Sequence, residues 1–506
     1  MLESLFGGLG TVLALLPLLT IVSGIVLGIL IGAMPGLSPS MGVALMVPFT
    51  YSMSPTLALI LLVGIYIGSS YGGSITGIMV NAPGTPSAVV TAIDGYALTK
   101  KGQPSLALGT SIIASSFGGM FGTLILIGFS VPLAAAAVRF HPSEYFAFAL
   151  FGMATIATLA GDNWIKAFIA MLVGLVLATV GTDAMSGAER LTFDVLELSD
   201  GFLLIPALIG LFALSEVFRG IEQGDVRIQR SASIHDRWPR FSHYWKLKWV
   251  TLRSSAIGTL VGVFPGAGAT IGSFISYGLA KRFSRDKDAF GHGSPEGVTA
   301  SEAADSGSVG GAMVPLLALG IPGSATTAVL IGAMMIHDLT PGPQLFVRNP
   351  EMIYAIFGAM LIAQFVLLFV GLAGGRLWVK VAHIPKEVLY VLITTMALIG
   401  AFAVRNAMFD VFCCVAFGIF GWLMRRHGFP LAPVILGLVL GAIAETNFRR
   451  AIMMDGWEVF FTRPITVTML ALALLSFLVP LITHLRQRRL QAGEGVLQAT
   501  GDRQAA

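Results

Sequence analysis

Charge is what this sequence has least of. Among 506 residues there are 27 Asp and Glu and 31 Lys and Arg, 11% in all. A soluble domain carries roughly 25%. Hydrophobic residues make up 55% and mean hydropathy is +0.82, so the surface of the fold must face something other than water. The depletion is complete between Glu3 and Asp94, a stretch of 90 uncharged residues. That is room for about three or four membrane crossings at roughly 20 residues each. Cysteine is also scarce: Cys413 and Cys414 stand side by side in an apolar run. Neighbouring cysteines do not readily pair and show no metal-ligand spacing, so both read as small buried apolar residues.

Other absences narrow the function. The formal charge of +4 comes with no basic stripe interleaved with aromatics, which argues against nucleic acid as a partner. Only eight histidines occur, with no HExxH and no clear nucleophile constellation, so a membrane enzyme has no visible chemistry. No GxxxxGK[ST] phosphate loop is present, against an ATP-driven pump. No structural metal or organic cofactor is expected. The N-terminal apolar run lacks a basic segment before it and a clear small-residue cleavage site, and reads as a first spanning helix.

What is there is a succession of apolar runs, giving an all-α polytopic membrane protein of about 10–14 crossings. The runs at 41–63 and 64–81 read as separate spans, and 250–280 as one. Lys101 and Arg139 enclose 37 uncharged residues, about 55 Å as a straight helix against a core of roughly 30 Å. This segment is expected to be broken, strongly tilted or a hairpin. The long polar loop at 219–249 carries Arg219, Arg227, Arg230, Arg237, Arg240, Lys246 and Lys248, and the tail carries Arg486, Arg488 and Arg489. The positive-inside rule makes both cytoplasmic. Arg449, Arg450 and Arg463 then fall on the opposite side, a poor fit. The division is a first membrane repeat at 1–218, the basic loop at 219–249, a second repeat at 250–485 and a polar tail at 486–506.

The halves on either side of the basic loop repeat one pattern. Gly28, Gly32, Pro35, Gly36 and Gly42 match Gly258, Gly262, Pro265, Gly266 and Gly272, all 230 residues on. Gly68, Ser69, Gly72, Pro83 and Gly84 match Gly307, Ser308, Gly311, Pro322 and Gly323, 239 residues on. Proline removes a helix donor and glycine relaxes the backbone, so Pro-Gly inside an apolar run breaks a membrane helix. The freed groups cannot face lipid and must lie inside protein or line a cavity. Paired breaks in two related halves, here expected to be inverted repeats with re-entrant hairpins, point to a transporter's binding site.

The second pair of breaks carries the likelier ligands. Asn81-Ala82-Pro83-Gly84-Thr85-Pro86-Ser87 and Pro322-Gly323-Ser324-Ala325-Thr326 each place hydroxyls just before an apolar run. Thr85 or Ser87, and Ser324 or Thr326, are expected near an N-cap. Two helix N-termini presenting N–H groups to each other could hold the ends of a small carboxylate. The alternative is a pair of capped hairpins packed in a bundle. Pro35-Gly36 with Ser38 and Ser40, and Pro265-Gly266, are further candidates, although their glycine spacing also suits plain helix packing. Intramembrane acids often mark ion paths, which makes Glu302, Asp305 and Asp94 candidates for a coupling ion. The basic residues upstream of Glu302 would equally suit a structural place at the water interface. Broken helices also build channels, but Asn81-Ala82-Pro83 is not Asn-Pro-Ala and its second copy lacks the asparagine.

These motifs carry a family resemblance. Asn81 to Ser87, then Asp94-Gly-Tyr96 with Lys100-Lys-Gly-Gln103, resembles the large membrane subunit (permease) of the tripartite tricarboxylate transporters. So does Gly293-Ser-Pro-Glu-Gly297 leading to Gly310-Gly311 and Leu319-Gly-Ile-Pro-Gly-Ser-Ala325. The chain departs from the family pattern at Ser301 and at Asp305-Ser306, where a proline and an asparagine pair would be expected. The resemblance implies a multi-pass subunit in a bacterial inner membrane. Its implied partners are a small membrane subunit and a periplasmic solute-binding protein that delivers a small di- or tricarboxylate. It implies drive by Na+ or H+ and, by likeness to related carriers, an elevator-like motion.

Overall fold

The computed structural model describes residues 2–34, 36–159, 164–183, 185–223, 241–264, 268–375, 377–378, 386–476 and 478. It is 81% helical, with a two-residue strand pair at Gly181–Thr182 and Glu189–Arg190. The first half opens with α1 (Leu2–Leu13), α2 (Leu15–Gly32), α3 (Pro39–Met46), α4 (Pro55–Val80), α5 (Ala88–Lys100) and α6 (Pro104–Ala137). It continues through α7 (Pro142–Leu159), α8 (Trp164–Ala178), α9 (Leu204–Ile209) and, across a wider turn at Gly210–Leu214, α10 (Ser215–Gln223). After the basic loop come α11 (Phe241–Lys246), α12 (Lys248–Val263), α13 (Gly268–Phe283), α14 (Pro295–Leu319), α15 (Ala325–Ile336), α16 (Pro343–Arg348) and α17 (Pro350–Ala373). The last helices are α18 (Lys386–Arg405), α19 (Met408–Arg426), α20 (Leu431–Asp455), the short α21 (Val459–Thr462) and an apolar α22 (Pro464–Ser476). Among the described residues eight helices are long and apolar enough to cross a membrane.

The boundaries correct several expectations. The runs at 41–63 and 64–81 are not two spans. Pro55, tolerated in a first helical turn, starts α4, which then runs unbroken to Val80. The run at 250–280 is two helices, α12 and α13. The uncharged segment after Lys101 is one helix, α6, of 34 residues with Pro132 inside it. At about 51 Å it must tilt or project beyond the membrane. α14 begins at Pro295 and so carries Glu302 and Asp305 within a 25-residue helix.

The repeated glycines are the contact surfaces of two equivalent helix pairs. A Cβ on Gly28 of α2 would lie 2.5 Å from the Ile65 carbonyl oxygen of α4, and one on Gly32 would lie 2.3 Å from that of Ser69. In the second half, a Cβ on Gly258 of α12 would lie 2.0 Å from the Ala304 oxygen of α14, and one on Gly262 would lie 2.5 Å from that of Ser308. The reciprocal contacts follow the same register: Gly72 meets Ile29 and Gly311 meets Thr259. Every one of these pairs is related by the two offsets read from the sequence. With no hydrophobic drive between helices in lipid, such close backbone approach is what holds a pair together. The halves are not separate bodies. Gly118 and Gly122 of α6 press on Ala303 and Gly307 of α14, again at backbone distance.

Two of the three arginines that fit poorly with the charge rule, Arg449 and Arg463, are neutralised locally. Arg449 bonds Asp183 at 2.6 Å and Glu445 at 3.1 Å, and Arg463 reaches Glu144 at 3.4 Å. Nearby Arg190 bonds Glu445 at 2.7 Å, and Arg405 bonds Asp410 at 2.8 Å.

If close backbone contact fixes both pairs, Gly28→Val and Gly258→Val should each destabilise the protein by about 3 kcal/mol or more. Gly128→Ala, which meets nothing within 4 Å, should be neutral. Thermal unfolding of the purified protein in detergent checks this. Wild-type melting in both valine variants would refute the packing role.

Candidate functional site

Both hairpins are built by one local device. α4 ends in a left-handed residue, Asn81 (φ 54°), and α14 ends in another, Gly320 (φ 74°). These close the helix carbonyls: Ala82 N–H donates to Thr76 O at 3.3 Å, and Ile321 N–H to Pro315 O at 3.1 Å. The chain then doubles back along the helix it has just left. Gly84 N–H donates to Gly73 O at 3.0 Å. A Cβ on Gly84 would lie 3.0 Å from the Gly73 Cα, and one on Gly323 would lie 2.7 Å from the Ala312 Cα. The fold-back covers seven residues of helix in each case, roughly 10 Å at 1.5 Å per residue. The next helix therefore starts below the end of the last, inside the bundle.

That next helix is capped by a hydroxyl. Ala88 N–H donates to Thr85 Oγ1 at 3.2 Å, and Thr327 N–H donates to Ser324 Oγ at 3.2 Å. Of the expected alternatives, Thr85 and Ser324 do the capping. Ser87 and Thr326 are buried beside them. Pro83 lies in the partly open fold-back, Pro322 and Gly323 are buried, and Asn81 is exposed. Gly84 and Gly323 are glycine because helix backbone fills the space of a side chain.

The two tips meet. Tyr66 of α4 places its Oη 3.2 Å from Ser324 Oγ at the tip of the second hairpin. Asp305 of α14 lies against the Ser87 hydroxyl at the tip of the first, within electrostatic reach of Tyr66. Tyr66 and Asp305 are themselves 239 residues apart. Each rises from the first helix of its own hairpin and reaches the other's tip. Sequence reasoning missed Tyr66. The repeat offset would have found it, since it is the position matched to Asp305.

The three acids named from the sequence have three different surroundings. Glu302 is fully buried, which corrects the water-interface reading. Its Oε1 accepts from Ser74, in a very short contact, and from Thr91 at 2.6 Å. Its Oε2 accepts from Ser111 at 3.0 Å and Ser115 at 2.7 Å. Four hydroxyls from α4, α5 and α6 thus clasp one carboxylate of α14. Asp305 is 4% exposed. Among the described residues, neither carboxylate has a Lys, Arg or His within ion-pair distance. Asp94 is fully buried, and its Oδ1 accepts from the N–H groups of Gly291 (2.8 Å), Gly293 (2.8 Å) and Ser294 (2.9 Å). Its Oδ2 accepts from Tyr277 at 2.9 Å. Its partners are those of an anchor for the loop that starts α14.

Among the described residues, no hydrogen bond links the first pair of breaks to these tips. Ser38 caps α3 by accepting from Met41 N–H at 3.4 Å and lies 2.9 Å from Ser40 Oγ. Gly36 is exposed at φ 93°. Pro35, Pro265 and Gly266 lie outside the described residues.

Asp94→Ala removes the acceptor of three backbone N–H groups and should cost about 3 kcal/mol or more. Asp94→Asn keeps an acceptor oxygen and should cost clearly less. Melting temperatures of the two purified variants check this order. Equal stability of the alanine variant and wild type would contradict the anchoring role.

Comparison with known proteins places the chain. Residues 18–436 match the family described as the tripartite tricarboxylate transporter TctA family. A protein of Agrobacterium vitis named as an uncharacterized 52.8 kDa protein in the TAR-I ttuC' 3' region is 36% identical over 444 residues. That alignment covers 87% of this chain and 88% of the relative. A second from the same organism, named for the TAR-II ttuC' 3' region, is 36% identical over 234 residues, or 46% of this chain and 97% of the relative. No solved structure matches. By the extent of both the family match and the first relative, the chain belongs to the tripartite tricarboxylate transporter TctA family, a family of transporters and not of enzymes.

Proposed function

We propose that this multi-pass membrane protein carries a small di- or tricarboxylate across a bacterial inner membrane, coupled to Na+ or H+. It would receive the substrate from a periplasmic solute-binding protein and work beside a small membrane subunit. The observation that carries this reading is the crossed contact of two capped helix N-termini, the Ser324 tip with Tyr66 and the Ser87 tip with Asp305. The N-termini of α5 and α15 offer N–H groups and partial positive charge to an anion. The hydroxyls of Thr85, Ser87, Ser324 and Thr326 add neutral donors, and among the described residues no Lys, Arg or His pairs with Asp305.

The same geometry supports coupling. Asp305 puts a negative charge where an anion would bind, in a buried place of low dielectric where like charges repel strongly. A carboxylate is then held only together with a cation or proton that neutralises Asp305. Glu302, its four hydroxyl donors supplied by three helices, is a second candidate for that charge. Asp94 is less suited, because its donors are committed to the loop. Opposite running of the corresponding helices supports an inverted relation of the halves: Tyr66 of α4 lies by Asp305, and Ser74 further along α4 meets Glu302 nearer the start of α14. Two hairpins entering from opposite ends suit alternating access, with the hairpin-bearing part moving as in an elevator.

Proteoliposomes containing this chain with its two partner subunits should concentrate labelled citrate, or another carboxylate retained by the binding protein, under an inward Na+ or H+ gradient. Asp305→Asn should still exchange substrate across the membrane but lose at least tenfold of the gradient-driven accumulation. Accumulation that ignores every gradient would refute coupling. Wild-type accumulation in Asp305→Asn would remove Asp305 from it.

A further inference from the structure

A polar cavity lined by no residue of the hairpin tips lies where α10 and α19 end and α20 begins. Its volume is about 840 Å³. Arg219, Arg425 and Arg426 line it with Glu222, over a floor that includes Phe212 and Phe429. Two carboxylates serve the three guanidiniums. Glu216 takes Arg425 in a very short contact and stands 3.7 Å from Arg219, while Glu222 meets Arg426 Nε at 3.4 Å. Among the described residues one positive charge is left over, and most of the fifteen guanidinium N–H donors remain free of these carboxylates. Trp422 fixes the rim: its ring lies 5.4 Å from the Arg426 guanidinium, and its Nε1 donates to Glu222 at 2.7 Å. Lys166 adds a further cation nearby, donating to His427 O at 2.7 Å.

The arginines contrast with those at the other end of the bundle. There Arg190, Arg405, Arg449 and Arg463 are matched by Asp183, Glu445, Asp410, Asp200 and Glu144. Here the cations outnumber the acids around a space whose lining is half apolar. The cavity also opens at the end of the membrane helices that bears the basic loop, where anionic lipid surfaces attract Arg and Lys.

We propose that this cavity is a binding site for a phosphate group, and specifically for the phosphodiester head of an anionic phospholipid. The guanidiniums bond the phosphate oxygens in forked pairs, and Phe212 and Phe429 take the first part of the acyl region. The proposal is independent of the transport reading, since no residue of the hairpin tips takes part.

The test uses the purified full chain in detergent, offered equal amounts of phosphatidylglycerol and phosphatidylcholine, with retained lipid read by native mass spectrometry. Phosphatidylglycerol should be retained preferentially. The preference should fall about fivefold for each arginine removed, in Arg219→Gln and in Arg219→Gln/Arg426→Gln. The single variant leaves every Glu222 contact in place, so it keeps the test valid if the double variant fails to fold. Equal retention of the two lipids by wild type, or an unchanged preference in Arg219→Gln, overturns the site. Displacement of the lipid by millimolar inorganic phosphate would mean a soluble phosphate and overturn the lipid assignment.

Discussion

A backbone N–H or C=O released inside a membrane has no water to bind, and leaving it unpaired costs several kcal/mol. Both hairpins are organised by that constraint. Each helix is closed by a left-handed residue, and the chain folds back along the helix it left. A hydroxyl then caps the new helix within the bundle. The fold-back needs glycine where it presses on helix backbone, at Gly84 over Gly73 and at Gly323 over Ala312. Because the fold-back is short, the new N-termini lie inside the protein. Their remaining N–H groups are the donors available for an anion. The proposed site is thus a consequence of how the breaks satisfy themselves.

Much of this was legible in the sequence, because glycine and proline act locally. The two offsets of 230 and 239 paired positions of one half with those of the other, and the contact of Gly28 with Ile65 recurs at the offset positions as that of Gly258 with Ala304. The capping hydroxyls were legible for the same reason, although the choice of Thr85 over Ser87 needed coordinates. Span boundaries were less legible. Uniform apolarity carries no period, so within 41–81 only the local Ser54-Pro55 start signal stood against a break at 63/64, and α6 could be read as a hairpin. Partners distant in sequence were illegible. Ser74, Thr91, Ser111 and Ser115 are unremarkable hydroxyls until folding gathers them on Glu302, and Tyr66 looks like an ordinary apolar-helix aromatic until it meets Ser324.

The buried charges divide the labour. Asp94 fastens the loop that starts α14, and Glu302 fastens α14 to the helices of the first half. Asp305 has the Ser87 hydroxyl for a partner and stands between the tips, the place where a charge can answer to a ligand. The ion-paired arginines at one end and the under-neutralised ones at the other extend the same logic to the membrane boundary. Charge that is matched stabilises the bundle, and charge left over is where the proposed ligands would be held.

The central claim is that the two tips form one substrate site. It is tested most directly by placing single cysteines at Ser87 and at Ser324, in a chain whose Cys413 and Cys414 have been replaced by alanine. Each variant is then titrated with the transported carboxylate while its reaction with a small membrane-permeant thiol reagent is followed. One shared site predicts that both cysteines are protected with the same half-maximal concentration. Protection of one tip alone, or of neither while uptake persists, would contradict it.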